Sequence, residues 1–372
     1  MKGQYFDRLK GSRTVYVAWR DLRFAKGRFT LMGTVIVLIT LLVGLLSGLT
    51  AGLGQQNISA ISNLPADRIA FQTPSAGQAL SYANSTVTQR QWEQWAGVPG
   101  VESAEPLGIT TTKATAGGKS IGVSAFGVQP ASRLLPAGSK VSDSSVVLSR
   151  TAANELGIGP GATLDLAGQQ LEVAAVQGDS SFSHTPVVWV TLATWQTSGA
   201  GTRPAATVIA LNTTSGVDFA AGDQAAGTTS VSTKESLAAI GSYTSENGSL
   251  QLMRGFLFVI SALVIGAFFT VWTIQRSGDV AVLKALGAST ATLLRDALGQ
   301  AVVLLAGGTA IGTGIAAAVG AVVSGSAVPF LLTPATVLLP AAVLIFLGAL
   351  GAALAIRRIT SVDPLTALGS AR

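Results

Sequence analysis

Four long stretches of this chain are almost free of charge, and they limit its architecture more than any motif does. Residues 31–54, LMGTVIVLITLLVGLLSGLTAGLG, carry no charge at all. A helix rises ~1.5 Å per residue, so a stretch of this length crosses a hydrocarbon core of ~30 Å with some tilt. It is longer than the roughly 7–15 residues of a cleaved signal peptide's apolar core, which makes it an uncleaved first span. Residues 251–275, 298–323 and 335–356 repeat the pattern, with Arg254 as their one charge. Lipid offers backbone amides no partner, so each stretch is predicted to bond internally as a helix. Composition agrees, since charged residues make up only 11% of the chain against an ordinary ~25%.

Residues 55–250 have a different character, rich in Ser, Thr, Gly, Ala and Gln. Short β-like runs at Val146–Leu148, Leu171–Val176 and Val187–Thr191 are separated by Gly and Pro. Helical patterns occupy 88–96 and 149–157, and the phrase VVLSRTAANELGIGPGATLDLAGQQLEVAAV reads strand, helix, turn, strand, turn, strand. The predicted fold is therefore an α-helical membrane protein with four transmembrane helices. A compact α+β extracytoplasmic domain is inserted between helices 1 and 2.

Charge orients the chain. Residues 1–30, 276–296 and 357–372 hold 14 Lys/Arg and five Asp, whereas 55–250 holds nine Lys/Arg and 13 Asp/Glu. Positive charge collects on the cytoplasmic side of a membrane, so both termini are expected in the cytoplasm of a multi-pass protein of the cell (plasma) membrane. Within 1–30, Val15, Ala18, Trp19, Leu22, Ala25 and Phe29 fall near one helical face and Arg20, Arg23, Lys26 and Arg28 on the other. That pattern predicts an amphipathic helix in the headgroup region and no nucleic-acid partner.

Covalent chemistry has little to work with. There is no cysteine and one histidine, His184, in the turn-like run SSFSHTP. No Gly-x-Ser-x-Gly elbow accompanies it, so it reads as a turn residue, set apart from the span edges by its place in the middle of the 55–250 segment. The chain's Gly-Lys-Ser, 118–120, has Lys113 where a nucleotide-binding P-loop needs its first glycine, and it reads as a hairpin turn. The chain is expected to be no enzyme, and any ATP hydrolysis must belong to another polypeptide.

Residues 276–297 carry a pattern of their own. Val280, Leu283, Leu286, Leu293 and Leu294 recur at helical spacing around a Gly287-Ala288-Ser289 turn, which predicts a short helix-turn-helix between spans two and three. The run Arg276-x-x-Asp279-x-Ala281-x-Leu283-Lys284-Ala285-Leu286-Gly287-Ala288-Ser289, with Gln300 opening the next span, resembles the permeases of FtsX/MacB-type (type VII) ABC transporters. The tail Arg357–Gly369, RRITSVDPLTALG, resembles that family's ending. The family usually has Glu where this chain has Asp279. The resemblance implies a coupling segment, residues 276–297, that docks a separate ABC ATPase through Asp279, Leu283, Lys284, Leu286 and Gly287. It also implies a homodimer, with no intrinsic cofactor and with ATP and Mg on the partner subunit.

WRDLRFAKGRF and GLTAGL, near the two ends of the first span, are similar to actinobacterial permeases of the haem-exporting HrtB type. Haem needs apolar walls, an axial ligand and cations for its propionates. Phe71, Tyr243, Glu246, Met253 and Arg254, near the outer ends of spans one and two, are the candidate set, with haem as the possible substrate. The other reading is a mechanotransmitting FtsX-like permease that regulates a cell-wall hydrolase. Gly44, Gly48 and Gly52 lie four residues apart on the first span, a stripe that lets another helix approach closely. In a homodimer that helix is expected to come from the second copy.

Overall fold

A computed structural model describes residues 26–200, 205–275, 289–323 and 328–360, with Gly278, Val282, Leu286 and Gly287. Most of the expected amphipathic segment 1–30, the docking residues Asp279, Leu283 and Lys284, and tail residues 361–372 lie outside the described residues. In chain order the helices are α1 (Lys26–Ser62), α2 (Gln89–Ala96), α3 (Arg150–Leu156), α4 (Leu192–Trp195), α5 (Phe219–Ala226), α6 (Thr233–Ser236), α7 (Tyr243–Gln275), α8 (Thr290–Val323) and α9 (Pro334–Thr360). The strands are β1 (Arg68–Gln72), β2 (Val87–Thr88), β3 (Val101–Ala116), β4 (Lys119–Val128), β5 (Ser145–Leu148) and β6 (Thr163–Leu166). They continue as β7 (Gln169–Val176), β8 (Ser181–Phe182), β9 (Thr185–Thr191), β10 (Ala205–Ala206), β11 (Val208–Thr213) and β12 (Thr228–Ser232). The chain divides into two compact units, one from Leu53 to Ser249 and the other holding everything before and after.

The second of these units is a helical bundle built on α1, α7, α8 and α9, each long and apolar enough to span a membrane. Their helices outrun the apolar stretches that announce them. α1 has 37 residues and continues to Ser62, α7 begins at Tyr243, and α8 begins at Thr290. Small residues set the spacing. A Cβ on Gly312 would come within 2.6 Å of the Val37 carbonyl oxygen, and one on Gly308 within 2.8 Å of Ile36. α8 therefore lies against α1 at backbone distance. Hydroxyls inside α7 bond to their own helix, Ser261 to the Leu257 carbonyl at 2.6 Å and Thr273 to the Phe269 carbonyl, so neither is an unmet donor in an apolar setting.

The glycine stripe of the first span is filled from within the chain. A Cβ on Gly44 would meet Ala316 of α8 at 2.8 Å, and one on Gly48 would fall 2.2 Å from the Phe330 ring. One on Gly52 would fall 2.1 Å from the Pro329 carbonyl oxygen. The Leu331 N–H also donates to the Gly48 carbonyl at 3.0 Å. The stripe does permit close approach, but its occupant is α8 and the segment before α9. The second copy expected there has no room.

The Leu53–Ser249 unit is the α+β domain. Its main sheet runs β12-β1-β11-β3-β4-β9-β5-β7-β6, and β6 pairs back onto β3 through Ala114↔Leu166. The six strands β3, β4, β9, β5, β7 and β6 thus form a closed ring, and the 16-residue β3 belongs both to the ring and to the open sheet. The predicted strand-helix-turn-strand-turn-strand phrase is β5, α3, β6 and β7. Ser149 caps α3 by accepting the Ala152 N–H, and Gly157 ends it at φ 73°. The Gly-Lys-Ser straddles the end of a two-residue turn, Gly117 and Gly118, with φ of 55° and 79°, and the start of β4 at Lys119. This is the hairpin geometry that favours glycine, not a phosphate cradle.

One close approach has no sequence motif behind it. Gly108 and Gly127 are cross-strand partners, and a Cβ on either would lie 2.4 Å from Trp195. The bare patch of sheet is where the indole lies. On the other side of the sheet, Phe71, Tyr82, Phe182, Phe126 and Trp189 form a chain of edge-to-face contacts with centroids 4.9–5.8 Å apart. Burial pushes the Tyr82 ionisation well above its ordinary value, so its hydroxyl remains a donor to Ser236 Oγ at 2.9 Å.

Candidate functional site

α7 runs unbroken from Tyr243 to Gln275, so Tyr243, Glu246, Met253 and Arg254 fall within about three turns of one helix. Met253 is 48% exposed, beside exposed Leu252 and Phe256. The Arg254 guanidinium lies 5.8 Å from the Phe258 ring centroid, one turn on. Tyr243 is partly buried, packed against the aromatic core of the α+β domain. Phe71 does not join them. It is wholly buried in β1, packed edge to face on Tyr82, and offers no face to a ligand. Both faces of β1 are covered by apolar clusters, so that side chain is buried, where a position near the span edge had suggested exposure.

Glu246 is the most connected of the set. Its Oε2 accepts from Asn57 Nδ2 at 2.8 Å and lies 2.7 Å from His184 Nε2. His184 was expected to stand apart from the α7 residues. The β8–β9 hairpin instead delivers its ring to Glu246 across 62 residues of sequence. Asn57 is the residue that sequence reasoning missed. It carries no charge and belongs to no motif, and the helical continuation of α1 to Ser62 is what brings it here.

Further along α7, an open-sided apolar cleft of about 1240 Å³ runs between α7 and α9. Phe258, Leu263, Gly266, Leu350, Gly351 and Leu354 line it, and none of its lining side chains carries a charge. Such a surface accommodates acyl chains or flat ring systems and has nothing with which to orient a polar group.

At the other end of α7 the described residues preserve the stop and start of a helical turn. The Leu286 N–H bonds to the Val282 carbonyl at 3.0 Å, and Gly287 has φ 93°. Ser289 Oγ then accepts the Thr292 N–H at 3.2 Å, the capping bond at the start of α8. Leu286 is 79% exposed at the apex.

Four spanning helices, with an extracytoplasmic α+β domain between the first and second, define a multi-pass permease of the ABC class. Residues 29–229 match the MacB-like periplasmic core domain, and residues 252–364 match the FtsX-like permease C-terminal region. The first match covers more than half of the chain, which therefore belongs to the MacB/FtsX-type ABC transporter permeases. A Staphylococcus haemolyticus protein named "Putative hemin transport system permease protein HrtB" is 25% identical over 354 residues, covering 95% of this chain and 99% of that one. A Mycobacterium tuberculosis protein named an uncharacterized ABC transporter permease is 23% identical over 364 residues, with the same two coverages. The crystal structure of the extracellular domain of the noncanonic ABC-type transporter YknZ matches 43% of this chain and 90% of its own, at 17% identity and a TM-score of 0.35.

Proposed function

We propose that this chain is the permease of an efflux transporter that exports an amphipathic molecule, haem foremost, and that it works as a homodimer with a separate ABC ATPase. The observation that carries the reading is the stretch of α7 from Glu246 to Phe258. It presents a carboxylate, a thioether and a guanidinium on one helix among exposed apolar side chains. A ferric porphyrin can use an oxygen or sulfur ligand, apolar walls and a cation for a propionate. The relatives named for hemin transport match over nearly the whole chain, which supports the same substrate class. The chain has no P-loop, so ATP and Mg belong to the partner. Its docking surface is the 276–297 segment, with the described Leu286 and Gly287 at a turn; Asp279, Leu283 and Lys284 are assigned to it by the family resemblance. In this reading both termini are cytoplasmic.

The test is a spectroscopic titration of the purified full-length protein with hemin. A Soret band is expected to form, to weaken in Met253→Ala and Glu246→Ala, more modestly in Tyr243→Ala, and to persist in His184→Ala. Loss confined to His184→Ala would move the ligand to the β8–β9 hairpin. Absence of any band would remove haem, and a permease that signals to a cell-wall hydrolase would then be the better reading.

A further inference from the structure

Two side chains meet the Glu246 carboxylate at the same oxygen. Asn57 Nδ2 donates to Oε2 at 2.8 Å, and His184 Nε2 lies 2.7 Å from that atom. Neither bond involves Oε1, and the Glu246 side chain is 41% exposed. All three residues lie inside the Leu53–Ser249 unit. The two partners are not equivalent. His184 is 37% exposed, so water competes for its bond. Asn57 is 2% exposed, and its Nδ2 also donates to Ser242 Oγ at 3.4 Å. Turning the amide over would set its oxygen against the carboxylate, so its orientation is fixed. That orientation has a cost. Asn57 Oδ1 is buried without a hydrogen-bond partner, which an apolar side chain of the same size would avoid.

The backbone that carries this amide is itself braced. The β8–β9 corner places Ser183 and His184 in the left-handed region, with φ of 48° and 65°. Their N–H groups donate to the Asn57 carbonyl at 3.0 Å and the Gln56 carbonyl at 3.2 Å. Ser59 Oγ accepts the Ser181 N–H at 2.8 Å and donates to the Ser181 carbonyl at 3.2 Å. Asn57 is thus a donor whose own position is set by the hairpin, two residues to either side. On the reading of haem as substrate, we infer that Asn57 is the positioning residue of the site. From α1 it anchors Oε2 of Glu246, and Oε1 is the oxygen left to give an electron pair to ferric iron. Carboxylates that bind metals are ordinarily oriented in this way, by a neighbour that does not touch the metal. A buried amide that keeps an unmet acceptor in order to hold one carboxylate is explained by that task, and packing alone does not require it. His184 supports the same oxygen from the exposed side and is the weaker anchor.

The test is a double-variant comparison by hemin titration of the full-length protein in lipid nanodiscs, followed at the Soret band. Asn57→Ala is expected to weaken binding about tenfold and to move the Soret maximum toward that of Glu246→Ala. His184→Ala leaves the buried anchor in place, so it should weaken binding less. Because Asn57 acts through the carboxylate, Asn57→Ala combined with Glu246→Ala should bind no more weakly than Glu246→Ala alone. Additive losses would mark a general structural effect and overturn the role. Wild-type affinity in Glu246→Ala overturns it as well. If Asn57→Ala does not fold, Asn57→Asp keeps the side chain's shape without its N–H donor, and the same comparison decides. A wild-type protein that forms no Soret band removes the haem reading and this role with it. A wild-type band that Asn57→Ala leaves unchanged removes the role of Asn57 alone.

Discussion

Gly48 shows how much one absent side chain can fix. The Phe330 ring fills the space where its Cβ would be, and the Leu331 N–H bonds to its carbonyl. Gly48→Leu is expected to cost about 1–3 kcal/mol through overpacking, read as a lower midpoint of thermal unfolding in detergent. Gly54→Leu is the control, because a Cβ at Gly54 meets nothing within 4 Å. Pairing Gly48→Leu with Phe330→Ala should recover part of the loss, since the two residues share one contact. Equal midpoints for Gly48→Leu and Gly54→Leu would refute the packing assignment. The stripe itself was legible as a 4-residue spacing. Its occupant was not, because nothing local to residues 44–52 names Phe330.

Among the elements, the Leu286–Ser289 turn is where local chemistry speaks most directly. Gly287 takes φ 93° and Ser289 caps α8, so the helical stop and start are both encoded within four residues. Gly287→Val is expected to cost roughly 1–2 kcal/mol of local stability, because a β-branched residue is strained in the left-handed region. Leu286 is 79% exposed, so Leu286→Asp should leave stability and membrane insertion unchanged. Under the proposed function it should still abolish stimulation of the ATPase by the permease, since it would bury an unpaired charge in the docking groove. Undiminished ATPase coupling in that variant would remove the docking role. The β8–β9 hairpin is the opposite case. Its Ser183-His184 corner lacks the Asn-Gly signature, and its geometry depends on carbonyls of α1 supplied from far away in the chain.

At the scale of the molecule, the two units have separate apolar cores. One is centred on Ile265, Phe269, Leu305 and their neighbours in the bundle, and the others lie on the two sides of the α+β sheet. Trp195, 4% exposed over the Gly108–Gly127 pair, belongs to the α+β domain. Trp195→Ala is expected to cost about 3–5 kcal/mol there and to lower the domain's unfolding transition while leaving that of the helical bundle in place. One shared transition moving as a whole would show that the units unfold together.

The sequence by itself determined the four spans, the inserted α+β domain and the family. Hydropathy is a local sum, so a charge-free stretch is committed to the membrane wherever the rest of the chain goes. The β5–α3–β6–β7 phrase was legible for the same reason, since its cap, its glycine stop and its alternation all lie within a few residues of what they control. Only the tertiary structure decided the rest. It closed β6 onto β3, turned Phe71 inward, filled the glycine stripe from α8 and Phe330, and brought His184 and Asn57 to one oxygen of Glu246. Each of these joins residues distant in sequence, and their meeting is set by strand register and helix length, which no single stretch encodes.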